Sequence, residues 1–236
     1  MPNILMILTS ATKWSQKNGV QKSTGFWGEE FVTPHQIFSE AGADITIATP
    51  GGRPSIVDGL SLSPEANNGD TAKVAEVTAY LDQHQDLLKS PKRIEDVDIA
   101  DYDAVVVPGG HGPMQDLAVN EAVGRVLTAA LADSSKVVGA LCHGQASFLS
   151  AGDAESWPFA GRKLTSFTDE EETMVGLAQN APWLLEDRLR AGGAEFSSGG
   201  AWSSHVVVDG NLVTGQNPQS AHGTAKAILE QIAERA

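Results

Sequence analysis

The chain holds one cysteine, Cys142, and the residues around it suit a nucleophile better than a structural thiol. In VVGALCHGQASF an apolar, strand-like run ends at the cysteine, and His143, Gly144 and a helix-forming stretch follow at once. A strand that turns this sharply into a helix needs small residues two positions before and two after the turning residue. Ala140 and Gly144 occupy those positions. A thiol at the head of a helix faces unpaired amides and the positive end of the helix dipole, so the expectation is a thiolate of lowered pKa. A lone cysteine is ordinarily a small buried hydrophobe. The elbow reverses that preference.

Two further signals accompany it. In AVVVPGGHGPM a strand runs into Gly109, Gly110, His111 and Gly112, and adjacent glycines leave backbone amides open to a ligand, as an oxyanion hole requires. Neither glycine-containing stretch is a phosphate loop, for there is no GxxxxGK[ST] and no GxGxxG. The other signal is acidic: Glu29 and Glu30 open one helix, and Asp169, Glu170, Glu171 and Glu172 open another. Carboxylates are common at helix starts for dipole reasons alone, which accounts for most of these six. One from each cluster is expected to point inward, one orienting the His143 imidazole and the other, held protonated, donating to sulfur or substrate oxygen. Composition does not choose which.

The elements that must position these groups follow from alternation. Asn3 to Thr9, Ala43 to Thr49, Tyr102 to Pro108 and Lys136 to Leu141 are short apolar strands, and Phe31 to Ala41 and Glu121 to Ala132 are amphipathic helices. Strands that are apolar on both faces belong to a parallel sheet covered by helices on both sides. Lys163 to Phe167 is also strand-like. A late hairpin is expected from His205 to Val208 and Leu212 to Thr214 around Asp209-Gly210-Asn211, followed by a last helix from Ser220 to Ala233. The Gly- and Pro-rich stretch 50–70 and the stretch 176–200 read as insertions within a single domain over 1–236, not as linkers.

With 41% hydrophobic and 19% charged residues the chain is a folded globular protein. Its net charge of −14 repels phosphate backbones and anionic bilayers, so no nucleic acid and no membrane is expected as partner. A single cysteine excludes an internal disulfide and a cysteine-rich metal site, and the cytoplasm is the expected compartment. The apolar N-terminal run is too short to span a bilayer and reads as a strand.

GFWGEEFVTP, VVVPGGHGPM, GALCHGQASF, SFTDEEET and TGQNPQSAHGTAKA, in this order, resemble the class I glutamine amidotransferase-like superfamily. Within it they are similar to the PfpI and parkinsonism-deglycase families, in the heat-shock chaperone and glyoxalase III branch. The resemblance implies a flavodoxin-like doubly wound α/β fold, a homodimer, and a site of Cys142, His143 and Glu172. It also implies that Glu30 approaches the sulfur, that Gly110 and His143 supply oxyanion donors, and that His111 and Trp27 line the pocket. A true glutamine amidotransferase carries a late His-Pro-Glu-like triplet, and neither His205 nor His222 begins one.

The expected activity is a glutathione-independent glyoxalase that converts methylglyoxal or a related 2-oxoaldehyde to the 2-hydroxy acid, with no metal and no organic cofactor. A deglycase acting on glycated amines uses the same thiolate chemistry. From another class comes a holdase that binds unfolded client proteins through aromatic loops at Trp157-Pro158-Phe159 and Trp183-Leu184-Leu185. A cysteine peptidase is the weakest reading.

Overall fold

The computed structural model describes residues 1–152 and 156–235. Its centre is a seven-stranded sheet made of β1 (Asn3–Ile7), β2 (Asp44–Thr49), β3 (Lys92–Arg93), β4 (Ala104–Val107), β5 (Val137–Leu141), β6 (Val206–Asp209) and β7 (Leu212–Gly215). The strands lie in the order β6-β7-β5-β4-β1-β2-β3, and every neighbouring pair is parallel except β6 with β7. That antiparallel pair is the expected hairpin, turned by Gly210 at φ 56°.

Helices cover both faces, as the alternation requires. Leu5, Ile7, Val105, Val107 and Val138 pack with α3 (Glu121–Ala132) on one side. Ile4, Met6, Val106, Val137 and Val213 pack on the other with α1 (Gly28–Glu40), α2 (Thr71–Gln83) and α4 (Ala221–Arg235). Neighbouring residues of β1 thus enter opposite cores, which is the period-2 signature of a strand buried on both faces.

Two expectations are corrected. Lys163 to Phe167 does not join the main sheet: only Lys163–Leu164 is a strand, paired in parallel with Glu195–Phe196 in a separate two-stranded sheet. Beyond it the Thr165 N–H donates to the Thr214 hydroxyl, so the ladder cannot continue. The two aromatic loops do not form an exposed client-binding surface either. Phe159 and Leu185 are buried, Phe159 stacks on Phe148, and Trp157, Trp183 and Leu184 are half-buried against the same core. The loop aromatics close the α3 side of the sandwich. No described helix is long and apolar enough to cross a membrane.

Candidate active site

The site forms at the carboxyl ends of β4 and β5, where ligands of open α/β sheets bind. These strands are neighbours in register, Val107 facing Ala140, so the Gly109–Gly112 stretch and the cysteine turn emerge side by side. Cys142 leaves β5 with φ 58°, a left-handed backbone for a residue with a side chain, and opens a 3-10 turn over Cys142–Ser150. That strained conformation is the elbow expected from the sequence. Gly144 is required there, since a Cβ would lie 2.1 Å from the Val107 carbonyl oxygen. Gly110, at φ 94°, would drive a Cβ to within 2.5 Å of the Gly25 carbonyl oxygen. Its own N–H donates to no group among the described residues.

A hydrogen-bonded chain runs through the site. Cys142 Sγ lies 3.2 Å from His143 Nδ1, and His143 Nε2 lies 2.7 Å from Glu172 Oε2. His111 Nε2 lies 2.8 Å from the other oxygen, Oε1. Burial opposes charge on Glu172, but His111 and His143 together hold its carboxyl well below the usual carboxylate range. An ionised acceptor takes the Nε2–H of each imidazole, so Nδ1 is the acceptor atom of either ring in its neutral form. Burial and neighbouring His111 push the His143 pKa down, so this ring is neutral at rest.

Glu30 completes the surroundings of the sulfur. It is fully buried in the first turn of α1, and its Oε2 accepts the Gly109 N–H at 2.8 Å. Oε1 is sealed from solvent with no hydrogen-bond partner among the described residues, and the carboxyl stands beside the Cys142 thiol. Burial pushes the Glu30 carboxyl up to about 8, so it holds a proton at neutral pH. The expected lowering of the thiol pKa is corrected. Burial pushes Cys142 well above its ordinary value and Glu30 adds to this, with the His143 N–H acting the other way. An amide at a helix start does not outweigh complete desolvation.

The cavity over the sulfur holds about 50 Å³ and is lined by Trp27, Gly110, His111, Cys142, His143 and Phe167, with Leu60, Val175, Leu177, Trp202 and Pro218 around them. Leu60 brings the 50–70 insertion to this wall, and it and Val175 are exposed. Of the residues assigned to the site by resemblance, Trp27, Gly110, His111, Cys142 and His143 line the cavity, and Glu30 and Glu172 stand behind it, on Gly109 and on the two imidazoles. Of the other acidic residues, Glu29 pairs with Lys73 and Glu170 is exposed, whereas Glu171 is buried beside Glu172.

Sequence reading missed four contributors. Trp14, on a small hairpin of Lys13–Ser15 with Gln21–Ser23, packs 4.5 Å from the His111 ring. Phe167 packs 4.5 Å from His143 and also meets Trp202. Glu171 accepts the Trp202 N–H at 2.9 Å and the Asn217 side-chain amide at 2.8 Å. Trp14, Phe167 and Trp202 act through contacts distant in sequence, and the capping box of Thr168 with Glu171 marks a helix start without revealing the Trp202 and Asn217 contacts.

His111, His143 and Glu172 are also close enough to be weighed as metal ligands. Their N···O distances of 2.7 and 2.8 Å are hydrogen-bond distances. Donor atoms sharing one ion at about 2.0–2.2 Å stand roughly 3 Å or more apart. The trio is closed on itself.

A family model described as the DJ-1/PfpI family matches residues 22–231. The chain is 29% identical to "Glutathione-independent glyoxalase HSP31" of Saccharomyces cerevisiae, over 97% of each chain. It is 30% identical to "Protein/nucleic acid deglycase HchA" of Pseudomonas aeruginosa, over 98% of this chain and 82% of that one. The crystal structure of glyoxalase III from Candida albicans superposes with a TM-score of 0.82 at 28% identity, covering 98% of this chain and 97% of that one.

Proposed function

The chain belongs to the DJ-1/PfpI family, and on that premise we propose that it is a glutathione-independent glyoxalase in which Cys142 converts a small 2-oxoaldehyde such as methylglyoxal to the 2-hydroxy acid. One observation carries the reading: the cysteine sulfur, a neutral imidazole with a free acceptor nitrogen and an ionised carboxylate lie in one hydrogen-bonded line at the base of a small cavity.

The resting thiol gives its proton to His143 Nδ1 as sulfur bonds to the aldehyde carbon. Glu172 stabilises the imidazolium so formed and keeps the ring in the required tautomer. The new oxyanion rests on the Gly110 N–H and takes the proton back from His143, giving a hemithioacetal. Glu30, protonated at neutral pH, acts as a donor beside the sulfur and not as a base. Transfer of hydrogen from C1 to C2 makes a thioester, and water releases the hydroxy acid and the thiol. C1 is oxidised as C2 is reduced, so no external oxidant enters. The homodimer that the resemblance implies and the cytoplasmic location expected from the single cysteine are part of this reading.

The likeness to the deglycase favours a second reading, removal of the same aldehydes from amines. The cavity of about 50 Å³ favours the free aldehyde, since a protein-borne adduct must bring its carrier to the mouth. The test is lactate formed from methylglyoxal without glutathione and with chelator, by wild type and by Cys142→Ser. The serine variant should lose at least about a thousandfold in rate. Equal, near-background rates in the two proteins would overturn the assignment.

A further inference from the structure

The isomerisation needs a proton taken from C1 and returned to C2, and three lining side chains can exchange one: Cys142, His143 and His111. Cys142 is consumed as nucleophile. His143 Nδ1 sits 3.2 Å from the sulfur, where it serves the thiol proton and the oxygen next to it. His111 holds the other oxygen of the Glu172 carboxylate, directly after the Gly110 oxyanion donor, with its ring centroid 4.1 Å from that of His143. Its Nε2 is committed to Glu172, so the lone pair of a neutral ring is on Nδ1. That atom has no hydrogen-bond partner among the described residues, and it is not one of the unpartnered side-chain atoms sealed from solvent. A wall group held rigidly from behind, with a free acceptor at a cavity, is built for proton transfer.

We propose that His111 is the second catalytic base, carrying the hydrogen between the two carbons of the bound substrate while His143 serves the sulfur and oxygen. The step rests on the glyoxalase reading above. In the hemithioacetal the C1–H bond breaks, its proton goes to His111 Nδ1, and its electron pair forms the C1=C2 bond of an enediolate with the negative charge on O2. His143 Nδ1 takes the O1 proton and hands it to O2, which moves the charge to O1. The His111 Nδ1–H bond then breaks to form C2–H as the C1=C2 bond opens and O1 becomes the thioester carbonyl, so every proton is accounted for within the site. One carboxylate thus serves two imidazoles with separate tasks, which accounts for the use of both its oxygens.

The test separates adduct formation from isomerisation. His111→Gln keeps an amide N–H that can reach Glu172 and removes the base; His111→Phe keeps the ring packed between Trp14 and His143. In single turnover with methylglyoxal, followed by intact mass and lactate, wild type should pass to lactate without accumulating adduct. Each variant that melts cooperatively should add one methylglyoxal at Cys142 and release lactate at least about a hundredfold more slowly. Lactate from either variant within about threefold of wild type would overturn the assignment of the base, as would failure to form the adduct, which marks a positioning role. A wild type that makes no lactate would instead overturn the glyoxalase reading, and the base with it.

Discussion

Two pairs of imidazoles are packed together in this protein, and they differ in what lies between them. His111 and His143 share the carboxylate of Glu172 at the cavity. His35 and His84, on α1 and at the end of α2, share Tyr80: the His35 Nδ1 lies 2.7 Å from its hydroxyl, His84 stacks on its ring at 4.1 Å, and the imidazole rings are 5.1 Å apart. Burial, then the proximity of His84, pushes the His35 pKa down to about 4. Burial likewise raises Tyr80. The second cluster has no carboxylate among its three members, and none of the three lines the active-site cavity. A buried imidazole is therefore not chemical by itself. What makes one so is an ionised group behind it and an open face in front of it.

The largest effect should come from exchanging the central group of each cluster. Glu172→Gln presents one acceptor and one donor to two N–H groups, so one imidazole must adopt the wrong tautomer. Turnover should fall by about a hundredfold to ten-thousandfold. Tyr80→Phe should leave turnover within about twofold. Lactate production by the two variants under one set of conditions checks the contrast. A Tyr80→Phe loss as large as that of Glu172→Gln would erase the distinction drawn between the clusters.

Part of this site was legible in the sequence for a definable reason. The glycine stretch and the cysteine turn end adjacent parallel strands, so a correct strand reading already places them together. Glu30 and Glu172 were selected from their acidic runs by resemblance, and the geometry shows why neighbours differ: Glu29 pairs outward with Lys73 while Glu30 is fully buried. Helix α2 went unread because it buries little, only Val77 and Leu81. Trp202 was invisible for another reason. It sits at φ 60° without being glycine, and a carboxylate far away in sequence, not a local signal, holds it there.

That carboxylate sharpens the comparison on a smaller scale. Glu171 and Glu172 are adjacent in the helix Asp169–Met174, and both are buried. Glu171 Oε2 accepts from the N–H and hydroxyl of Thr168, and Oε1 accepts from Trp202 and Asn217. It therefore fixes the cavity wall and not an imidazole. Glu171→Gln brings an amide donor against one of these donor pairs and should loosen Trp202. The KM for methylglyoxal should rise by about three- to tenfold with kcat nearly unchanged, against the kcat loss of Glu172→Gln. A kcat loss without a change in KM would place Glu171 with the chemistry.

The finest contrast is in stability, where the two regions carry opposite signs. Glu30, beside the sulfur, has a folded pKa of about 8 against an ordinary 4.5. The native state therefore binds its proton more tightly than the unfolded chain, and the stability this gives is present below about pH 4.5 and lost as pH rises through 8. His35 is the reverse, with a folded pKa of about 4 against 6.5. The unfolded chain binds that proton more tightly, so its contribution is present above about pH 6.5 and lost as pH falls through 4. Between pH 5 and pH 7 each amounts to a change on the order of 2 kcal/mol, in opposing directions. Wild type should conceal both, and single substitutions should reveal them. Relative to wild type, Glu30→Gln should gain stability as pH rises across this window, and His35→Gln should gain it as pH falls. Urea unfolding of the three proteins at pH 5, 6 and 7 measures this directly. A Glu30→Gln curve parallel to wild type would mean that the carboxyl is already ionised at neutral pH, and its place as a proton donor to the sulfur would be lost; a parallel His35→Gln curve would mean that the Tyr80 cluster admits charge as readily as water does.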